Sequence, residues 1–319
     1  MATGQDGADG PVRIAILICT RRRPEGLLAC LASLDRADKP AQIAPCVIVV
    51  ENEETPTDLA DRLADAGLGL PVRHVREPRL GIPMARNRTL DEAMADAPGW
   101  VLFLDDDEEV GSDYFHGLAG AMTTHDADVI TGPVLMDLAG PRPPWMPVDK
   151  PHRWAEGAVL QSAATGNTLA ARCLFSEDGL GLRFDETLAF TGGSDVELFH
   201  RAVAAGVVIR WSTAFPAHET WGPERLKMRW HLRRKYREAS VGLMIERDAS
   251  ARRRMIVGKA IKGPVEALGY GLAALLALPV SRARSSRFGY RALAKLWEAG
   301  AILGALTGQI QQPYRKIDE

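Results

Sequence analysis

The feature that most constrains the fold is an alternation of short apolar strands and helical segments within the first 110 residues. Residues 14–19, 46–50 and 100–104 are continuous apolar runs, which is typical of strands that are buried on both faces. The helical segments follow them at short intervals, the first opening at Pro24. This order predicts an α/β fold with a mostly parallel central sheet covered by helices on both faces. The predicted strands are residues 12–19, 46–50, 72–75 and 100–104, and the predicted helices are residues 25–34, 57–66 and 82–95.

Polar residues follow each of these four strands. The segments are T-R-R-R at 20–23, E-N-E-E at 51–54, E-P-R-L-G at 77–81 and D-D-D at 105–107. In parallel sheets, ligands bind beyond the carboxyl ends of the strands, so the four segments should meet at one rim. Mixed basic and acidic groups there suit a phosphate-bearing ligand and a metal ion. A Rossmann dinucleotide site and a Walker loop are excluded, because neither glycine-rich motif is present.

The triple aspartate indicates a cation. Three adjacent carboxylates at the end of a buried strand repel one another, and hard divalent cations such as Mg²⁺ and Mn²⁺ prefer carboxylate oxygens. The alternative is a solvated acidic turn, but the three matching strand-end clusters favour the metal interpretation.

The chain between about residue 110 and residue 224 is less regular. A segment with five prolines predicts a long loop, which also carries Trp145 and Trp154. The loop spans residues 138–157, the predicted strands are 128–134, 165–171 and 207–211, and the predicted helix is 194–205.

Five motifs in order make the sequence recognisable. They are C-T-R-R-R-P at 19–24, V-V-E-N at 49–52, G-I-P-M-A-R-N at 81–87, F-L-D-D-D at 103–107 and T-G-G-S-D-V-E-L at 191–198. Over residues 12–240 the chain resembles family-2 glycosyltransferases with the GT-A nucleotide-sugar fold, and in particular the bacterial exopolysaccharide-type enzymes.

The resemblance implies a donor site and a metal site. Glu51 stands where the family usually has an Asp that accepts from uracil, so the implied donor is a UDP-sugar. The implied metal is Mn²⁺ or Mg²⁺, with His218 as a third ligand or, alternatively, as a structural histidine. The implied donor-binding residues are Thr20, Arg23, Glu51, Asn52, Gly81, Arg86, Asn87, Asp105 and Asp106, and the implied metal ligands are Asp105, Asp107 and His218.

The resemblance also implies a catalytic base and an acceptor side. Asp195 matches the general base that takes the proton of the acceptor hydroxyl in a single, inverting displacement. The other interpretation of Asp195 is a carboxylate that stabilises a helix N-terminus, and the two are compatible. Trp145 is either a sugar platform or a packing residue. The implied acceptor-side residues are Trp145, Asn167, Gly193, Ser194 and Glu219, and Arg225 and Arg233 would face the donor diphosphate or a lipid phosphate.

The net charge of −2 conceals a segregation along the chain. Residues 1–224 carry 19 Lys and Arg against 34 Asp and Glu, whereas residues 225–295 carry 18 against 4. Basic residues beside apolar, aromatic-bearing helices predict contact with an anionic membrane surface. Nucleic acid is not expected as a partner, because no reader motif accompanies the charge and the acidic body would repel a duplex. Burial of the apolar helices in a homodimer interface is the alternative.

These patterns predict three regions. Residues 1–11 form a disordered lead-in without the features of a signal peptide. Residues 12–224 form a GT-A catalytic domain, with a nucleotide-binding half at 12–110 and an acceptor half at 111–224. Residues 225–319 form a basic, membrane-associating helical region. The four scattered cysteines predict a reduced protein without disulfides or structural zinc, located at the cytoplasmic face of the membrane, peripheral or shallowly inserted.

The expected function is that of an inverting, metal-dependent glycosyltransferase. It would move a sugar from a nucleoside diphosphate to a glycan or lipid-linked acceptor in cell-surface polysaccharide or glycolipid synthesis. One alternative is a sugar nucleotidyltransferase of related fold. Such an enzyme requires a glycine-rich loop and a lysine directly after the first strand, where this chain has T-R-R-R-P. The other is a catalytically inert GT-A-like membrane adaptor.

Overall fold

The computed structural model describes residues 10–147, 154–246 and 249–307. The chain separates into two compact units. The first comprises Met1–Met136, Pro151–Ala189 and Ser194–Glu219, and the second comprises Asp137–Lys150, Phe190–Gly193 and Thr220–Glu319. Most of the predicted lead-in lies outside the described residues. The predicted boundary between residues 224 and 225 stays a prediction.

The first unit contains five α-helices and all or part of eleven strands among its described residues. The helices are α1 (Pro24–Arg36), α2 (Leu59–Asp65), α3 (Ile82–Ala95), α4 (Tyr114–Thr124) and α5 (Ser194–Ala204). The strands are β1 (Val12–Thr20), β2 (Ile43–Glu51), β3 (Val72–Arg76), β4 (Trp100–Asp105), β5 (Glu108–Val110), β6 (Val129–Thr131), β7 (Val134–Leu138), β8 (Val159–Leu160), β9 (Thr168–Ala171), β10 (Ile209–Trp211) and β11 (Ala217–Trp221).

Eight strands form the central sheet, in the order β3-β2-β1-β4-β9-β6-β10-β8. The first four are parallel, whereas β9 runs antiparallel to both of its neighbours and β8 runs antiparallel to β10. The mostly parallel sheet expected from the strand and helix alternation is therefore confirmed. A smaller sheet joins β5, β11 and β7.

Both faces of the central sheet are covered, which explains the continuous apolar runs. Because successive side chains of a strand point to opposite faces, Ile16 of β1 contributes to one apolar core and Leu17 to the other. The Ile16 core includes Leu31 of α1 and Phe115 of α4. The opposite core includes Leu90 of α3 together with residues of α5.

Two predicted strands are shorter in the structure, for local backbone reasons. The predicted strand 128–134 is interrupted between β6 and β7, because Pro133 has no N–H to give to a ladder. The predicted strand 165–171 begins only at Thr168, because Asn167 has a φ of 48°, in the left-handed region that extended backbone does not use.

The second unit is helical. In the helical region predicted at 225–319, the first helix begins at Met228, and the second and third α-helices are joined by π-helical turns at Val257–Lys262. No helix in the described ranges is long and apolar enough to cross a membrane. The helices are α6 (Met228–Ile245), α7 (Ala249–Ile256), α8 (Gly263–Ala277) and α9 (Arg282–Leu306).

Candidate active site

The first four strands terminate at nearly the same position along the sheet, because the residues at their carboxyl ends are register partners. Thr20 pairs with Glu51, Glu51 pairs with Arg76, and Cys19 pairs with Asp105 across three adjacent strand pairs. The residues that follow these strands therefore share one edge of the sheet, as the sequence predicts.

The end of β1 is tied to the triple aspartate. Thr20 is buried and its hydroxyl donates to Asp106 Oδ2 at 2.7 Å. Arg23 donates to Asp107 Oδ2 at 3.0 Å. Asp106 is itself buried; desolvation raises its pKa to about 6, although the bond from Thr20 and the charge of Arg23 act in the opposite direction. Asp106 thus joins two strand ends, whereas Asp107 lies in contact with a cation.

Arg86 links the triple aspartate to the start of α5. Its guanidinium donates to Ser194 Oγ at 3.3 Å and lies 3.9 Å from Asp105 Oδ1. Only 14% of the Arg86 side chain is exposed, against 52% for Asp105. Desolvation by the surrounding protein raises the pKa of Asp105; Asp107 and Asp195 add repulsion, and Arg86 opposes the rise. The structure therefore brings Asp105, Arg86 and Asp195 into one electrostatic cluster.

Asn52 and Gly81 hold the loop between β3 and α3. The Asn52 amide donates to the carbonyls of Glu77 and Arg79 and accepts from the Gly81 N–H at 2.8 Å. Gly81 has a φ of 137°, and a Cβ atom there would lie 2.9 Å from both Ala189 Cβ and Met84 Sδ. The glycine is needed for backbone conformation and for close packing. The side chain of Asn52 positions this loop.

Asn87 has a similar structural role. Its amide donates to the Phe184 carbonyl and to Glu186, and its Oδ1 accepts from the Phe184 N–H at 2.8 Å. Asn87 thus joins α3 to the segment around residue 185, and its predicted contact with the nucleotide stays a prediction.

Glu51 is buried at the end of β2. The Thr57 hydroxyl donates to its Oε1, and His74 Nε2 lies 3.3 Å from its Oε2. Its predicted partner, the base of the donor nucleotide, stays a prediction.

Asn167 is a correction to the predicted acceptor side. It is fully buried, its Nδ2 donates to the carbonyls of Pro133 and Phe215, and its Oδ1 accepts from the Tyr114 hydroxyl at 2.6 Å. An amide with these three bonds and no exposed surface cannot contact an acceptor in this conformation. Asn167 instead joins α4 to the backbone around the end of β6.

The carboxylates suit a divalent metal, but not as a three-residue protein site. Asp105 and Asp107 are separated by one residue and repel each other at the open edge of the sheet. Two carboxylates are a sufficient protein contribution for Mg²⁺ when phosphate oxygens complete the shell. Within the described ranges, no three or more His, Cys, Asp and Glu side chains are grouped to hold a metal. His218 lies on β11, paired with Glu109, so the structure does not assemble the predicted triad.

Glu108 is a buried acid that the sequence interpretation missed. It follows the triple aspartate, accepts from the Asp105 N–H at 3.2 Å, and pairs with Glu219 across β5 and β11. Desolvation raises the pKa of Glu108 well above its usual range, and the nearby Asp105 adds to the rise. The sequence signal was the length of the acidic run, D-D-D-E-E at 105–109.

The remaining predicted acceptor-side and phosphate-side residues lie in the second unit. Trp145 contacts His231 and Tyr290, with ring centroids 5.0 and 5.2 Å apart. The Arg225 guanidinium lies over the Trp221 and Trp230 rings, at 5.9 and 5.8 Å. Arg233 is exposed on α6, and Gly193 has a φ of 83°. Their predicted contacts with ligands stay predictions.

The fold is the GT-A fold, with an acidic strand end at the edge of its central sheet. The fold is similar to that of S. aureus TarS 1–349 in complex with UDP-GlcNAc, with a TM-score of 0.53 and 14% identity over 93% of this chain and 92% of that one. It is also similar to GalNAc-T7 with UDP, GalNAc and Mn²⁺, with a TM-score of 0.52 and 15% identity over 77% of this chain and 54% of that one.

Sequence relatives then give the family. The model of glycosyl transferase family 2 matches residues 15–167. The succinoglycan biosynthesis protein ExoM of Rhizobium meliloti (strain 1021) is 31% identical over 301 residues, which are 92% of this chain and 93% of that protein. The chain belongs to glycosyl transferase family 2 and is a glycosyltransferase. The nucleotidyltransferase alternative is thereby set aside.

Proposed function

We propose that the chain is an inverting, metal-dependent glycosyltransferase that uses a UDP-sugar and acts on a glycan or lipid-linked acceptor in cell-surface polysaccharide synthesis. The observation that carries the proposal is the position of Arg86, between Asp105 at the end of β4 and Ser194 at the start of α5. This cation adjoins both an acidic group suited to a metal-bound diphosphate and Ser194, the residue before Asp195.

The donor side rests on the edge formed by the four strand ends. Asp105 and Asp107 would hold Mn²⁺ or Mg²⁺, which when bound offsets the negative charge on the leaving diphosphate. Arg23 pairs with Asp107 and with the buried Asp106, and its side chain is half exposed, so its guanidinium is accessible to an incoming phosphate. The complexes of TarS with UDP-GlcNAc and of GalNAc-T7 with UDP, GalNAc and Mn²⁺ support this donor and metal class.

Asp195 is proposed as the general base. The acceptor oxygen attacks the anomeric carbon, the bond from that carbon to the diphosphate oxygen breaks, and the hydroxyl proton passes to the Asp195 carboxylate. A single displacement of this kind inverts the anomeric centre. Arg86 is close enough to influence the Asp105 carboxylate and donates to the residue before the base, so it positions the two sides of the reaction.

The proposed acceptor rests on a sequence relative, and the proposed location rests on the charge of the second unit. The name of the ExoM relative, a succinoglycan biosynthesis protein, supports a role in polysaccharide synthesis. The basic second unit supports attachment to the cytoplasmic face of the membrane, where Arg225 or Arg233 would meet a lipid phosphate. Trp145 remains a proposed sugar contact.

The donor can be tested without knowledge of the acceptor. Nucleotide sugars are incubated with the enzyme and Mn²⁺ or Mg²⁺, and their binding and slow hydrolysis to the nucleoside diphosphate are measured. We expect UDP-sugars to be preferred and chelation to abolish binding. Equal binding with and without metal would contradict the metal dependence.

The base can be tested with a matched pair of variants once transfer is measurable. We expect Asp195→Asn to lower the rate of transfer by a factor of at least about 10², while UDP binding is retained. Glu177→Gln, the same change at an exposed acid of the first unit, should transfer at the wild-type rate. If the Asp195→Asn enzyme kept wild-type transfer, the assignment of the base would be wrong.

A further inference from the structure

One side of α8 exposes a continuous row of apolar side chains. Val265, Leu268, Leu272, Leu275 and Leu276 are between 59% and 77% exposed. Their spacing of three or four residues places them on one face of the helix. At a rise of 1.5 Å per residue, the row is about 17 Å long. Soluble surfaces carry single exposed leucines commonly, but a contiguous apolar row of this kind indicates an interaction site.

The opposite side of α8 is occupied by α9. Ser285 of α9 donates to the Ala274 carbonyl at 2.8 Å, and Lys295 pairs with Glu266 at 2.8 Å. The rings of Tyr270 and Phe288 stack with centroids 6.5 Å apart. These contacts fix the orientation of α8, so its leucine row faces away from its partner helix.

The ends of the row are cationic. Lys262 is exposed immediately before α8, and Arg282, Arg284 and Arg287 are exposed shortly after it. Residues 267–297 contain no Asp or Glu, and Glu266 is paired with Lys295. An apolar row with positive charge at both ends is complementary to a surface that is apolar inside and negative outside.

We propose that the leucine row of α8 inserts into an anionic lipid surface, with the helix lying in the plane of the membrane. The four leucines would enter the boundary between headgroups and acyl chains, and Lys262, Arg282 and Arg284 would contact lipid phosphates. The inference rests on the membrane location in the proposed function and adds the surface that carries it.

A second copy of this chain fits the row less well. Two rows packed antiparallel would bring Lys262 of one copy toward Arg282 and Arg284 of the other, and residues 267–297 contain no carboxylate that could offset the repulsion. If the two rows packed parallel, Lys262, Arg282 and Arg284 of one copy would lie next to the same three residues of the other copy. The charge pattern therefore favours lipid over a dimer.

The first experiment measures co-sedimentation of the full-length protein with phosphatidylcholine vesicles, with and without phosphatidylglycerol. A variant with Leu268→Gln, Leu272→Gln and Leu275→Gln should bind the anionic vesicles at least about tenfold more weakly. The control variant changes three exposed apolar residues of the first unit, Val159→Gln, Leu180→Gln and Val208→Gln, and should bind as the wild type does. Equal binding of the leucine variant and the wild type would overturn the proposal.

The second experiment separates lipid charge from apolar contact. Each exposed arginine near an anionic surface contributes about 1 kcal/mol, so Arg282→Gln with Arg284→Gln should weaken binding about 25-fold, and the effect should shrink at high salt. The control pair, Arg36→Gln with Arg62→Gln, lies in the first unit and should not weaken binding. Equal losses from both pairs would show that net charge alone attracts the protein, and would overturn the role of α8.

Two readouts distinguish the possible failures. If sedimentation velocity without lipid shows a wild-type dimer that the leucine changes convert to a monomer, while vesicle binding is unchanged, then a second copy covers the row and the proposal is wrong. UDP-sugar hydrolysis in solution should survive the leucine changes, whereas Asp195→Asn should keep vesicle binding. A failure of the proposed chemistry therefore leaves a different pattern from a failure of the lipid surface. Circular dichroism and the unfolding midpoint confirm that each variant is folded.

Discussion

Three asparagines that the family resemblance implies as site residues show what a resemblance does not determine. Asn52, Asn87 and Asn167 each use the side-chain amide to satisfy backbone N–H or carbonyl groups or a neighbouring side chain. An amide is suited to this because it can donate and accept at once. A sequence motif specifies that such a residue is needed near the site, but not whether its side chain faces the ligand or the loop that surrounds the ligand.

Replacement of Asn167 by Ala should therefore reduce stability rather than acceptor affinity alone. The change removes the side-chain partner of the Phe215 carbonyl and of the Tyr114 hydroxyl, whereas the Pro133 carbonyl keeps its bond from the Ala217 N–H. It also places Ala at a positive φ, so we expect a loss of about 3 kcal/mol. Tyr114→Phe removes one bond only and should cost about 1 kcal/mol. Urea unfolding measures both. A stable Asn167→Ala protein with a raised acceptor KM would restore the acceptor role that the structure contradicts.

Gly81 should be intolerant of even one methyl group. Its φ of 137° and the 2.9 Å approach of a Cβ atom to Ala189 and Met84 predict that Gly81→Ala destabilises the protein by about 2 kcal/mol and weakens UDP binding. Gly120 in α4 has open space around it and ordinary helical backbone, so Gly120→Ala should be neutral or stabilising by about 0.5–1 kcal/mol. Thermal unfolding and UDP titration compare the two, and equal effects would contradict the steric argument.

At the scale of elements, the sequence predicted most accurately the features that depend only on the burial of apolar side chains. β1, β2 and β4 contain continuous apolar runs because both faces of the sheet are covered, and α3 begins directly after Gly81. The predicted rim was confirmed for the same reason, since parallel strands must end at one edge. Predictions were less successful where backbone conformation decides, as at Pro133 and Asn167. They were also less successful for the three metal ligands, because within the described residues their side chains do not group at one point although β11 pairs with β5.

Glu156 connects two elements and predicts a pH dependence of stability. Burial would raise its pKa, but hydrogen bonds from the Thr213 N–H and hydroxyl, from Ser212 and from His125 outweigh it and lower the pKa to about 2. His125 follows α4 and Thr213 follows β10. Because the folded pKa is depressed, the stabilisation is complete above the unfolded value of about 4.3 and is lost as the pH falls toward 2.

The variant Glu156→Gln carries no titratable group and should remove this dependence. We expect the urea midpoint of the wild type to fall between about pH 4.5 and pH 2.5 more steeply than that of Glu156→Gln. At neutral pH the variant should be the less stable of the two, because a charged acceptor forms stronger hydrogen bonds than an amide. Parallel curves over this range would contradict the role of the carboxylate.

At the scale of the whole molecule, the acidic and basic parts of the sequence correspond to the two different roles that we propose for them. The acidic first part of the chain carries the carboxylates of the candidate donor and base sites, and the basic second part carries the exposed leucine row. The net charge of −2 is the sum of these opposed regions, so it says little about partners. The distribution of charge along the chain is more informative about partners, because a metal site requires local negative charge and binding to an anionic lipid surface requires local positive charge on the protein.

The melting temperature of the protein should therefore show whether a ligand occupies the donor site. A ligand that binds only the folded state at 100 times its Kd stabilises that state by about 2.7 kcal/mol, so UDP with Mn²⁺ should raise Tm, and UDP with chelator should raise it little. Asp107→Ala should lose the metal-dependent rise, because it removes a proposed metal ligand at the open edge of the sheet. Asp195→Asn should keep the rise, since the proposed base is needed for transfer and not for binding. If the Asp107→Ala protein responded to UDP and Mn²⁺ as the wild type does, the metal would have to be held without that carboxylate.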